Sequence, residues 1–171
     1  MSNLSVQAIR DFLTTIVMEG ESILIVDDNP TNLKLASFLL KSEGYVVSTA
    51  VDGHESLKMM ESLRPQLILM DVQLPGIDGL EVTRRLKSNP ATRSIPVVAL
   101  TAYAMKGDEQ KVLDAGCDGY IAKPIDTRTF PSKIRSLLAG NASRSSKIAG
   151  GEFDPQSRAA RYRGFVAKAN S

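Results

Sequence analysis

Five short apolar runs recur between residues 22 and 122, and each is followed by a stretch of helical length. The runs are 22–26, 46–50, 67–70, 97–100 and 120–122, and the stretches are 32–42, 54–62, 80–88, 106–115 and 130–138. In the first stretch Leu33, Ala36, Leu39 and Leu40 keep to one helical stripe. The third and fourth runs are almost wholly apolar, as expected of strands covered on both faces. Gly44, Gly53, Gly79 and Gly116 fall where turns or helix ends are needed. Strict alternation of strand and helix predicts an α/β fold, a parallel sheet with helices on both faces. Pro131 places the start of the last helix near Thr129, because proline is tolerated in the first turn and not beyond it. The stretch 106–115 has few apolar residues, chiefly Val112, Leu113 and Ala115, and is expected to pack less firmly than its neighbours.

A chain of 171 residues with 43% hydrophobic and 23% charged residues can bury one sizeable core. Three parts are expected: an extension over 1–20, the alternating domain over 21–139, and a basic, flexible tail over 140–171. Val6, Ile9, Leu13, Ile16 and Val17 mark one face of a short amphipathic helix in the extension. The tail carries six Lys and Arg against two Asp and Glu and is rich in Ser, Ala and Gly. Its AGGEFD, at 149–154, is similar to the signature of cyclic-dinucleotide synthases but lacks one of that motif's acidic residues. No run is long and apolar enough to span a bilayer, and the N-terminus has no secretory signal pattern, so a cytoplasmic location is expected. A lone Cys117 excludes an intramolecular disulfide and a Cys-rich zinc site, and a lone His54 excludes a multi-histidine metal site. Any metal bound by this chain should be a hard one held by oxygen.

The residues that end the strands carry the chemistry. The first run stops at Asp27 and Asp28, the third at Asp71, the fourth at Thr101 and the fifth at Lys123. Adjacent carboxylates repel each other at a partly desolvated strand end unless a cation offsets them. In an open parallel sheet, ligands bind outside the carboxyl ends of the strands, so these five side chains should converge there. Three carboxylates suit Mg²⁺. With a hydroxyl and one ammonium added, the set fits phosphoryl transfer to a central carboxylate. Pro124 follows Lys123 and permits a cis peptide at the turn.

ILIVDDNPTNLKL, LILMDVQLPGIDGLEV, VVALTAYAMKGDE and AGCDGYIAKPI together resemble the response-regulator receiver domain of two-component signalling, over about residues 21–138. The resemblance implies a flavodoxin-like (βα)5 sandwich with sheet order 2-1-3-4-5. It implies a phosphoacceptor signalling domain rather than an enzyme, with self-phosphorylation from small phosphodonors and slow loss of its own phosphate. Asp71 is then the phosphoacceptor. Mg²⁺ is held by Asp28 directly, by Asp27 chiefly through water, by Asp71, and by the backbone carbonyl of Gln73. Lys123 pairs with the phosphoryl group, Thr101 moves toward it on activation, and Tyr120 follows that movement. Gln73 and Tyr103 stand where hydrolytic water must pass, and bulky Tyr103 is expected to slow self-hydrolysis.

The same resemblance implies a histidine kinase or histidine phosphotransfer protein as phosphodonor, and a downstream protein target recognised through about 106–138. A homodimer is a further mode of contact to test. The 33 residues after Leu138 are too poor in apolar periodicity for a DNA-binding domain, which favours a single-domain regulator or phosphorelay shuttle. The receiver portion of a hybrid kinase and a truncated transcription factor stay open as alternatives. A haloacid-dehalogenase-type phosphatase also uses an aspartate nucleophile with Mg²⁺, but it would need two aspartates spaced by one residue after the first strand, where Asp27 and Asp28 are adjacent.

Overall fold

A computed structural model of the protein describes residues 20–102 and 108–145, with side chains at 20–102 and 109–140. Ten elements alternate in chain order: β1 (Ser22–Val26), α1 (Pro30–Ser42), β2 (Val46–Ala50), α2 (Gly53–Met59), β3 (Leu67–Asp71), α3 (Gly79–Ser88), β4 (Val97–Thr101), α4 (Asp108–Asp114), β5 (Gly119–Ala122) and α5 (Phe130–Ser145). The strands form one parallel sheet, as the alternation predicts, in the order β2-β1-β3-β4-β5 that the resemblance implies.

Side chains alternate across a strand, so each strand feeds two cores. On one face Ile23, Ile25, Leu67, Leu69, Val98 and Leu100 pack against Leu33, Ala36 and Leu40 of α1 and Phe130, Ile134 and Leu138 of α5. On the other, Leu24, Val26, Ile68, Met70, Val97 and Ala99 meet Val82 and Leu86 of α3 and Val112 of α4. All five residues of β3 and of β4 are buried, which accounts for their unbroken apolar runs. Each fully buried Leu or Ile contributes roughly 1.5–3 kcal/mol relative to exposure, so the central strands anchor the fold. The edge strand β2 leaves Val46 exposed.

Side-chain caps start the helices. Asn29 accepts from the Thr31 and Asn32 N–H groups ahead of Pro30, Asp52 accepts from the Glu55 N–H, and Asp78 accepts from the Glu81 N–H. Two helices end elsewhere than the sequence suggests. α2 stops at Met59 rather than residue 62, because Glu61 and Ser62 bond carbonyls only three residues back and the Arg64 guanidinium takes the Met60 and Leu63 carbonyls. α5 runs to Ser145 rather than ending at Leu138. Apolar periodicity reports which face is buried and does not fix where a helix stops. The amphipathic stripe over 6–17 and most of the basic tail lie outside the described residues.

Candidate functional site

Strand register brings the site together. Val26 pairs with Met70, which sets Asp27 level with Asp71. Asp71 pairs with Leu100, and Thr101 with Ala122, so Thr101 and Lys123 step outward on the same rim. β1 lies between β2 and β3, so the chain winds outward in opposite directions from this point. Such a switch point is where an open parallel sheet forms its binding crevice.

Asp71 is buried, 4% exposed, at the last position of β3. Its Oδ2 accepts from Lys123 Nζ at 2.8 Å, and its Oδ1 accepts from the Gln73 N–H at 3.0 Å. Burial pushes the Asp71 carboxyl above the usual carboxylate range. The Lys123 and Gln73 bonds oppose that shift without cancelling it, and the charge of Asp27 adds to it. The same Lys123 Nζ lies 2.8 Å from Asp27 Oδ2. Burial works against the ammonium's charge, but bonds to Asp27 and Asp71 outweigh it and lift the lysine above its ordinary value.

Asp27 is 1% exposed, yet well supplied with partners. Its Oδ1 accepts from the Asn29 N–H at 2.8 Å, and the Asn32 side-chain amide reaches Oδ1 at 3.3 Å and Oδ2 at 3.1 Å. Asp28, its neighbour, faces solvent. Asp27, Asp28 and Asp71 each offer a carboxylate oxygen within 4.8 Å of the other two. One exposed and two buried oxygen donors, with no sulfur or imidazole among them, fit a hard divalent cation that keeps part of its water shell.

The β3–α3 connection is held by close backbone contact. Gly76 takes a positive φ of 77°, which suits glycine at the turn. A Cβ at Gly79 would stand 1.8 Å from the Asp71 carbonyl oxygen, so the start of α3 presses directly on the residue that ends β3.

Thr101 is buried at the end of β4, and its carbonyl accepts from the Lys123 N–H at 2.7 Å. The Lys123–Pro124 peptide is cis. Tyr120 is half-buried beside the α2–α3–α4 core, and burial, with Glu109 second, pushes its phenol up. The Gln73 side chain is exposed. Tyr103 lies outside the described residues. Of the residues predicted from sequence, the structure therefore brings Asp27, Asp28, Asp71, Lys123 and the backbone of Gln73 into one cluster, with Thr101 tied to it through Lys123. Asn32 is the residue the sequence reading passed over. The signal was present in NPTNLKL, an amide three residues beyond a helix cap and five beyond a buried aspartate.

A five-stranded parallel sheet in this order, with an acidic triad and a lysine at its carboxyl end, defines a response regulator receiver domain. The chain belongs to that family, whose profile matches residues 23–135. It is 47% identical over 118 residues to the polar-differentiation response regulator DivK of Brucella anthropi, an alignment covering 69% of this chain and 96% of that protein. Among solved structures it is similar to a putative response regulator from Chloroflexus aurantiacus, with TM-score 0.67, 32% identity, and coverage of 70% of this chain and 98% of that one. It is also similar to the receiver domain of a sensor histidine kinase from Pseudomonas aeruginosa, whose structure holds a magnesium ion in the active-site cleft. There the TM-score is 0.62 and the identity 37%, over 70% of this chain and 94% of that one. The chain is thus a signalling phosphoacceptor domain of two-component type. Among the described residues no helix is long and apolar enough to cross a membrane.

Proposed function

We propose that Asp71 accepts a phosphoryl group from a phosphohistidine on a histidine kinase or histidine phosphotransfer protein, and that this switches contacts with a downstream protein. A carboxylate oxygen of Asp71 attacks phosphorus, the P–N bond to the donor imidazole breaks, and an acyl phosphate forms on Asp71. The observation that carries this reading is the shared Lys123 ammonium, 2.8 Å from both Asp71 and Asp27 at the carboxyl end of the sheet.

Asp28, Asp71 and the Gln73 carbonyl would hold Mg²⁺ directly, and Asp27 chiefly through water. Bound Mg²⁺ would draw charge from the phosphoryl oxygens. The protein's own residues do the rest. Lys123 neutralises one phosphoryl oxygen, the Gln73 N–H fixes the orientation of the nucleophilic carboxylate, and Thr101 turns its hydroxyl toward the new group while Tyr120 repacks. Added charge and acceptor oxygens at one point then bias a two-state domain. The responding face comprises α4, β5 and α5, within about 106–138, and Tyr103 slows water attack on the acyl phosphate. The setting proposed is the cytoplasm.

The test is intact mass after incubation with acetyl phosphate, with and without Mg²⁺, for wild type and Asp71→Asn. One phosphoryl group gained by wild type alone, only with Mg²⁺, is expected. A gain by Asp71→Asn, or none by wild type even with a phosphorylated donor protein, overturns the assignment.

A further inference from the structure

We propose that Asn32 is a positioning residue for the cation site. Its side-chain amide keeps the Asp27 carboxylate aimed at the crevice. The proposal rests on the reading of the site given above.

An ionised carboxylate offers about four acceptor positions and no donor. Asp27 accepts from the Asn29 N–H and Asn32 amide on Oδ1, and from the Asn32 amide and Lys123 on Oδ2. Because both oxygens can only accept, the amide nitrogen of Asn32, not its oxygen, faces them. These donors differ in permanence. Lys123 is shared with Asp71 Oδ2, so a phosphoryl group there competes for it. The Asn29 contact comes from a backbone N–H and holds one oxygen only. Among the described residues Asn32 alone spans both oxygens, so it fixes the rotation of the carboxylate plane.

The placement of Asn32 suits this task. It is the third residue of α1, whose start is set by the Asn29 cap and Pro30. The amide therefore reaches Asp27 from a rigid helix. It is also neutral. A lysine or arginine there would hold Asp27 equally firmly but repel the cation that the three carboxylates are arranged to receive. Residues behind a metal's direct ligands commonly change metal affinity by about 10–100-fold when removed.

Isothermal titration of the unphosphorylated full chain with Mg²⁺ at pH 7 tests this, on wild type, Asn32→Ala and Asn32→Gln. Because Asp27 reaches the ion chiefly through water, Asn32→Ala should weaken Mg²⁺ binding by up to about tenfold, and Asn32→Gln, which retains an amide, should recover most of the loss. Equal affinity in wild type and Asn32→Ala overturns the proposal. So does tighter binding by Asn32→Ala, which would make the amide a competitor of the cation, and so does an Asn32→Gln as weak as Asn32→Ala. Wild type that binds no Mg²⁺ overturns the metal reading of the whole site and this inference with it.

Discussion

The Lys123 ammonium lies 2.8 Å from the Asp71 carboxylate although 52 residues separate them in sequence. Because the same nitrogen also contacts Asp27, a single cation offsets two buried negative charges. Lys123→Met should leave both without that cation. Its cost is expected to be about 1–3 kcal/mol, below that of breaking a deeply buried pair, since the lysine keeps some contact with water. Urea denaturation without Mg²⁺ measures it, and added Mg²⁺ should recover part of the loss.

Burial of Asp71 makes stability depend on pH. The folded-state Asp71 carboxyl is raised above the ordinary value, chiefly by burial, so the native state binds the proton more tightly than the unfolded chain. The stability linked to Asp71 is therefore fully present below the unfolded value and lost as pH rises through the raised folded one. Asp71→Asn removes that loss. Its urea midpoint at pH 7 should exceed that of wild type, and the gap should close as pH falls below the ordinary aspartate range. A gap that widens toward acid would contradict the burial argument.

Gly79→Ala should damage the site without touching an ionisable group. The added Cβ would meet the Asp71 carbonyl oxygen at 1.8 Å and its carbon at 2.8 Å, and the end of β3 must move to relieve it. Overpacking against backbone is expected to cost about 1–3 kcal/mol or more. Phosphorylation by acetyl phosphate, followed by mass, should slow in the folded variant.

At the other end of the sheet, Lys87 and Asp118 form a second, half-buried pair at 2.9 Å. Asp118 Oδ2 also accepts from the Val97 N–H, and Lys87 donates to the Ile95 carbonyl, so the pair ties α3 and β5 to the start of β4. Lys87→Met leaves the carboxylate without its cation. A loss of roughly 1–3 kcal/mol in urea denaturation is expected, while folded protein should still phosphorylate on Asp71.

Mg²⁺ should stabilise the protein by mass action, raising the thermal midpoint with concentration, and chelation should reverse it. Asp28→Asn should lessen this dependence by weakening Mg²⁺ about tenfold. Because Asp28 is exposed, its loss should alter the Mg²⁺-free midpoint far less than that of Lys123.

Much of the architecture was legible because local rules and tertiary packing agree. Unbroken apolar runs at 67–70 and 97–100 are what strands buried on both faces require, and β3 and β4 sit at the centre of the sheet. Helix ends were less legible. The Arg64 side chain that caps the carbonyls after α2 has no periodic signature, and α5 continues beyond its apolar stripe.

Which residues gather at the carboxyl rim follows from sequence alone, because an aspartate, threonine or lysine just past an apolar run must emerge at one rim of a parallel sheet. What sequence could not determine is who holds whom. That one ammonium serves both Asp27 and Asp71, that Asn32 spans the Asp27 carboxylate, that Gly79 leaves no room for a side chain beside Asp71, and that Lys87 finds Asp118 are all tertiary facts. The reason is physical. Periodicity encodes which face of an element is buried, whereas hydrogen-bond and charge partners depend on register and rotamer, which are decided only when the sheet and its helices pack.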